Sequence, residues 1–161
     1  VALTVAQLPG YLRKIADELR ERAPIEAARA MGNAYIPVVV NSMRGPAPSP
    51  PGTPPARRSG TLARSIRRGP GHSTGPYSYT VFVAPHTVYA RIQQLGGHIR
   101  PKHTTAGGRL GYLRWEDKGG VHYSQHVYLP KRPYMVMSEQ ARTACHDAAA
   151  AAAASLFKAA E

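Results

Sequence analysis

The stretch Val88-Tyr89-Ala90-Arg91-Ile92-Gln93-Gln94-Leu95-Gly96-Gly97 decides how the rest of the chain is read. Val88, Ile92 and Leu95 stand at i, i+4 and i+7, the spacing of one face of a short helix. Gly96-Gly97 ends that helix, because glycine takes the left-handed C-terminal position without steric cost. Upstream, Tyr77, Tyr79, Val81 and Val83 alternate with Ser78, Thr80 and Phe82, which predicts a strand over 77–83. Downstream, 98–102 reads as extended again. The order is strand, short helix, glycine stop, strand, and no nucleophile, metal cluster or phosphate loop accompanies it. The expectation is a protein that is not an enzyme.

The same reading extends in both directions. Thr4 and Gln7 have capping-box spacing and Pro9 suits a first turn, so a helix starts between them. Leu8, Leu12, Ile15 and Leu19 carry its stripe. Pro24 should break or restart it, and Ile25, Ala28, Met31 and Tyr35 form the next stripe. Pro37 predicts a kink or an end over 33–37, with Val38-Val39-Val40 continuing as helix. Residues 45–60, GPAPSPPGTPPARRSG, contain six prolines and no apolar period. They predict an extended, exposed and mobile arm, with Pro46, Pro50, Pro51, Pro54 and Pro55 as candidate contacts to a neighbouring subunit.

After the arm, Leu62 and Ile66 lie one helical turn apart and dock a short helix capped by Ser59 or Thr61. Around it stand Arg57, Arg58, Arg64, Arg67 and Arg68, the candidate surface for carboxylates or phosphates. Residues 69–76 are turn material, and 104–108 form a glycine-rich tip where His103 and Arg109 are candidate contacts. Strands are expected at 110–115 and 121–129 with a turn at 117–120. In the second, Val121, Tyr123, Val127 and Leu129 share a face. The connections are short, so the sheet is antiparallel. Residues 134–160 read as one helix with Met135, Ala141, Ala148 and Ala152 on a face. The run of seven alanines at 148–154 makes a smooth surface.

These segments make one domain of 161 residues: a helical part at 1–44, the proline-rich arm at 45–60, short helices and sheet at 61–133, and a helix at 134–161. The fold class is α+β, a small antiparallel sheet packed with N-terminal helices and a long C-terminal helix. With 21 Lys+Arg against 9 Asp+Glu the formal charge is +12, which favours a polyanionic or acidic partner. Cys145 has no partner for a disulfide and reads as a buried or half-buried helix residue. No signal peptide or membrane span is read, so a soluble, intracellularly made protein without membrane contact is expected. His122 and His126, four apart on a strand, would lie ~13 Å apart, too far for one metal. Glu116 and Asp117 are adjacent at a turn and poorly placed for acid–base work. No metal or cofactor is expected.

Three phrases taken together resemble a family. Residues 59–66, SGTLARSI, resemble the "TG-L-x-x-S-I" phrase of tail-completion proteins of long-tailed bacteriophages, with the threonine–glycine order reversed. Residues 88–97 resemble that family's "YA…E-x-G-G" phrase, with Gln93 or Gln94 in place of the acidic residue. Residues 130–135, PKRPYM, resemble its "P-x-R-P-aromatic" entry into the last helix. Leu62, Ile66, Tyr89, Gly96, Gly97, Arg132 and Pro133 carry these matches, and the likeness runs from about Leu12 to the C-terminus. The family includes minor tail protein Z-like and virion-morphogenesis proteins. The resemblance implies an α+β subunit of a homo-oligomeric, six-fold ring at the virion neck, assembled in the host cytoplasm. Its neighbours would be head-closure or connector proteins and tail-terminator or tail-tube proteins, with genomic DNA in the channel. A tail terminator or head-closure ring is the alternative within that machine. A basic nucleic-acid-binding protein, or a small ribonuclease using Arg, His and Tyr, is the alternative from another class.

Overall fold

In a computed structural model of the chain, residues 6–102, 111–117 and 119–159 are described. The tip at 104–108, with His103 and Arg109, lies outside them. The first element is a single helix, α1, Leu8–Ser42, with Pro9 in its first turn as expected. It runs through both Pro24 and Pro37, so neither the break at Pro24 nor an end over 33–37 occurs. Each proline deletes one backbone bond and crowds the preceding turn. Here the tertiary context outweighs that local cost, because α1 is the surface on which the C-terminal helix α4, Glu139–Ala159, lies. The contact side of α4 is built from Ala141, Cys145 and the half-buried Ala148 and Ala152. Ala141 is wholly buried and faces a helix whose Ala28 is also buried, so the backbones approach closely. Leu8, Leu12 and Met31 of the expected stripes are exposed; Ile15, Leu19 and Ile25 are half-buried.

The chain then turns through the proline segment to α2, Thr61–Ser65, and directly into β1, Ile66–Arg68. Next come β2, His72–Gly75, and β3, Ser78–Thr80, then β4, Val83–Pro85, and α3, Ala90–Leu95. The remaining strands are β5, Gly97–Ile99; β6, Leu113–Asp117; β7, Gly120–Ser124; and β8, Val127–Leu129. All pairings are antiparallel, as the short connections required, and they form four two-stranded ladders: β1–β4, β2–β3, β5–β8 and β6–β7. The fold is therefore α+β, with the helical N-terminus, antiparallel strands and long C-terminal helix expected of it.

Both long strands read from alternation are divided. Residues 77–83 split at Val81-Phe82, where the chain leaves β2 and takes β1 as its partner. Residues 121–129 split at Gln125-His126, where Ser124 Oγ donates to His126 O and accepts from His126 N. Val121 and Tyr123 are exposed while Val127 and Leu129 are half-buried, so the four do not share one covered face. The hydrophobic centre lies where the C-terminal half of α1 meets α2 and β1. Val39, Met43, Ala63, Ile66 and Tyr134 form it, with Leu62, Val83 and Met135 packed around.

Candidate functional site

The three family-like phrases, far apart in the chain, meet around α3. Gly96 ends α3 as expected, but with φ 72° and ψ 179°, a positive-φ conformation open to glycine that is not the left-handed helical one anticipated. A Cβ there would stand 2.6 Å from Lys131 N and 2.9 Å from Leu129 O, so only glycine admits the 129–131 backbone. Arg132 N donates to Gln93 O at 2.8 Å. The Gln94 side chain accepts through Oε1 from both Tyr134 N (2.9 Å) and Met135 N (3.1 Å). Tyr134, buried, donates its hydroxyl to Ala90 O and packs against Ala63 and Ile66 of the first phrase. Burial, then the neighbouring Tyr89, pushes the Tyr134 phenol above its usual range. With their backbone N–H groups on the Gln94 side chain, Tyr134 and Met135 lie outside the helix, and α4 starts at Glu139 rather than at 134. Ser138 Oγ accepts from Ala141 N at that start.

Gln94 was visible in the sequence only as a departure from the glutamate of the resembled family. The site needs an oxygen acceptor for two backbone N–H groups, and an amide carbonyl supplies one. Around this centre α3 is less regular than its periodicity implied. Val88 precedes the helix and is fully exposed, Leu95 is 62% exposed, and Ala90 is the buried residue.

The proline segment is tied to its own chain at several points. Arg57 N donates to Met43 O and Gly52 N to Lys131 O, and the Arg132 guanidinium bonds Ser49 O at 3.2 and 3.3 Å. Pro55 is buried and Pro54 half-buried, whereas Pro46, Pro50 and Pro51 are exposed. The expectation of a wholly exposed arm is corrected: the segment is a loop bonded to its own chain, with Pro46, Pro48, Pro50 and Pro51 exposed. Its anchors are backbone groups, which carry no signature in the sequence.

The five arginines divide by environment. Arg57 and Arg64 converge on Gly60, itself at φ 75°. Arg57 Nε and Arg64 Nη1 each lie 3.0 Å from the point where a Gly60 Cβ would stand. Arg58 lines the same recess, a cavity of about 180 Å³ whose floor includes Met43, Pro55, Leu62 and Ala63 and whose wall holds Tyr89 and Gln93. Gly60 occupies the cap position of α2. Ser59 Oγ contacts Thr61 N and Thr61 Oγ1 from one residue further out, so neither Ser59 nor Thr61 is the cap. Arg67 is exposed on β1. Arg68 lies across α1 instead, its stem over Gly32 and its Nε donating to Asn33 Oδ1 at 3.0 Å. Among the described residues, the ion pairs are Arg29–Glu26, Arg142–Glu139 and His146–Asp147, so none of the five meets a carboxylate.

Other features carry less chemistry. His126 neighbours His98 (ring centroids 6.3 Å) and His98 neighbours Tyr128 (5.1 Å). Among the described residues no three His, Cys, Asp or Glu side chains gather as a metal site. A recess of about 480 Å³ lies between α1 and the 79–83 and 135–137 segments, lined by Met31, Tyr35, Val81 and Met137. Cys145 forms part of its wall as a buried thiol, as its helical position suggested. Burial pushes it above its ordinary value and Sγ points to Met31 O. No described helix is long and apolar enough to cross a membrane. No protein-family model, curated protein or solved structure matches the chain.

Proposed function

We propose that the chain is a structural subunit of a bacteriophage neck, forming a ring that completes the tail and joins it to the head. The observation that carries this reading is the convergence around α3 of the three phrases that resemble tail-completion proteins. Gly96, Gln94, Arg132 and Tyr134 are mutually dependent there, so the likeness concerns one connected structural unit. In this role the exposed prolines and the carboxylate-free arginines Arg57, Arg58, Arg64 and Arg67 face neighbouring subunits, the adjacent ring or the DNA of the channel. Charge on such surfaces sets partner choice and register more than bulk affinity.

Electron cryo-microscopy of purified particles tests the proposal. The expected result is a ring of this chain between the portal and the tail tube; absence from mature particles overturns it. A second reading, binding of nucleic acid by the isolated subunit, is favoured by the unpaired guanidiniums at Gly60. It predicts affinity for DNA or RNA that falls steeply and linearly on a logarithmic salt scale. Salt-insensitive or absent binding by the monomer removes that alternative.

A further inference from the structure

We infer that copies of this chain associate head to tail, the β6–β7 hairpin of one copy seating its Glu116 in the arginine-rimmed cavity at Gly60 of the next. The inference rests on the ring reading for its biological setting, but on separate observations for its geometry.

The first observation is that the hairpin stands apart. β6 and β7 pair with each other over five positions and make no more than glancing contact with any other element. A lone two-stranded hairpin is marginal in water, yet this one exposes large apolar groups. In register, Glu116 opposes Val121 and Arg114 opposes Tyr123, so these four side chains share one face. Val121 is 44% and Tyr123 64% exposed. The opposite face is closed on itself by Trp115 stacked on His122 at 5.4 Å.

The second observation is charge. Glu116 and Asp117 are the only acidic residues between Glu26 and Glu139. Glu116 is exposed and forms no ion pair among the described residues. The cavity offers the converse: guanidiniums of Arg57 and Arg64 against one point, Arg58 beside them, and no carboxylate. Two guanidiniums held so close repel each other, and an intervening anion removes that repulsion. A carboxylate or a phosphodiester could each meet the arginines. The exposed Val121 and Tyr123 beside Glu116 favour the carboxylate, because they too need a covering surface. Among the described elements the hairpin has no substantial contact with α2 or α3, which wall the cavity, so we place the contact between copies, a heterologous arrangement of the type that closes into rings.

The test uses the full chain, treated with nuclease, in analytical ultracentrifugation across concentration. Wild type should form species larger than a dimer. Glu116→Arg and Arg64→Glu, both at exposed positions, should each weaken association by at least about tenfold while leaving the melting temperature near that of wild type. Mixing the two variants should be selective. The cavity of Glu116→Arg takes the unaltered hairpin of Arg64→Glu, and the altered cavity of Arg64→Glu takes the altered hairpin of Glu116→Arg, so the mixture should recover growth beyond a dimer with the two chains alternating. The double variant carrying both changes should recover self-association. Wild type that stays monomeric, a Glu116→Arg variant that associates as wild type does, or a double variant that fails to recover overturns the inference. Assembly that appears only with nucleic acid present also overturns it and assigns the arginines to a polyanion. A neck ring whose subunits touch elsewhere would refute this contact alone; self-association without a ring in particles would refute the neck reading alone.

Discussion

Replacing Gln94 should separate the folding unit around α3 from the rest of the chain more sharply than any other single change. Its Oε1 accepts from Tyr134 N and Met135 N at 2.9 and 3.1 Å, from a half-buried position. A hydrogen bond of this kind contributes a net of about 1 kcal/mol, and a donor stranded out of reach of water costs about 1–3 kcal/mol. Gln94→Ala opens room for water beside both donors, so its cost should fall near 2 kcal/mol. Gln94→Leu fills the space with a group that accepts nothing, and its cost should approach 4 kcal/mol. Gln94→Glu should behave oppositely at neutral pH, since charge-assisted bonds to the two N–H groups are stronger than amide bonds. Those bonds lower the folded pKa of the new carboxyl. Its contribution is therefore present above the ordinary carboxylate range and lost as pH falls through the folded value.

Urea unfolding followed by circular dichroism reads all three variants. With a slope of roughly 2 kcal/mol per molar, the alanine and leucine variants should unfold at midpoints lower by about 1 and 2 M. Gln93→Ala is the control, because Gln93 serves Arg132 through its backbone carbonyl and not its side chain. It should stay within about 0.5 kcal/mol of wild type. An unchanged midpoint for Gln94→Leu would refute the reasoning, and so would a Gln94→Glu variant that is less stable than wild type at neutral pH.

Three further outcomes follow from the packing. Gly96→Ala places a Cβ 2.6 Å from Lys131 N at φ 72° and should prevent soluble folding or cost at least about 3 kcal/mol, whereas Gly32→Ala meets only side chains, the flexible Arg68 at 2.8 Å and Val81 Cγ2 at 3.2 Å. The second change also gains helix propensity, so thermal melting should find it within about 1 kcal/mol of wild type. Ala141→Leu, at a wholly buried position between α4 and α1, should cost about 1–3 kcal/mol by overpacking, read as a lower urea midpoint. Cys145 and the Tyr35 and Tyr134 phenols all have raised folded pKa values, caused first by burial. The proton is therefore held more firmly folded than unfolded. Stability should be level below the ordinary values of 9.0 and 10.0 and decline as pH rises past them. A melting temperature still level well above pH 10 would contradict this, and Tyr35→Phe should make the decline shallower.

What could be read from the sequence was backbone chemistry that acts locally. Gly96 ends α3 because of its own conformational freedom. Pro9 starts α1 because a first turn needs no N–H there. The strands were harder because alternation reports which side chains share a face, not which strand lies alongside. Residues 77–83 keep a two-residue period while changing partner from β2 to β1, and 121–129 do the same at Gln125. β2 escaped notice because His72, Ser73 and Thr74 are all exposed and leave no apolar period to detect. The opposite failure affects α1, where local rules predicted interruption at Pro24 and Pro37. The packing of α4 along the helix is a long-range term absent from any window around those prolines. The arginine cluster was legible as composition, but the division between Arg57 and Arg64 at Gly60 and Arg68 on Asn33 needed the fold.

The arrangement of the strands bears on why such a chain would assemble. β1–β4 and β2–β3 are backed by α1, and β5–β8 is tied in through Gly96 and the Arg132–Gln93 backbone bond. Among the described elements none packs substantially on the β6–β7 hairpin, and two strands alone gain too little burial to offset the entropy of ordering them. Among the described residues the core is small: nine apolar residues are buried, while Val88, Leu95, Tyr112, Tyr123 and Tyr128 are among those left exposed. The guanidiniums at Gly60 carry a second uncompensated term, mutual repulsion with no carboxylate nearby. Both terms shrink on contact with a second surface, and among the described elements the hairpin has no substantial contact with the helices that wall the cavity. The two least supported features of the lone chain are thus complementary in sign, apolar character and position, as a repeating contact requires.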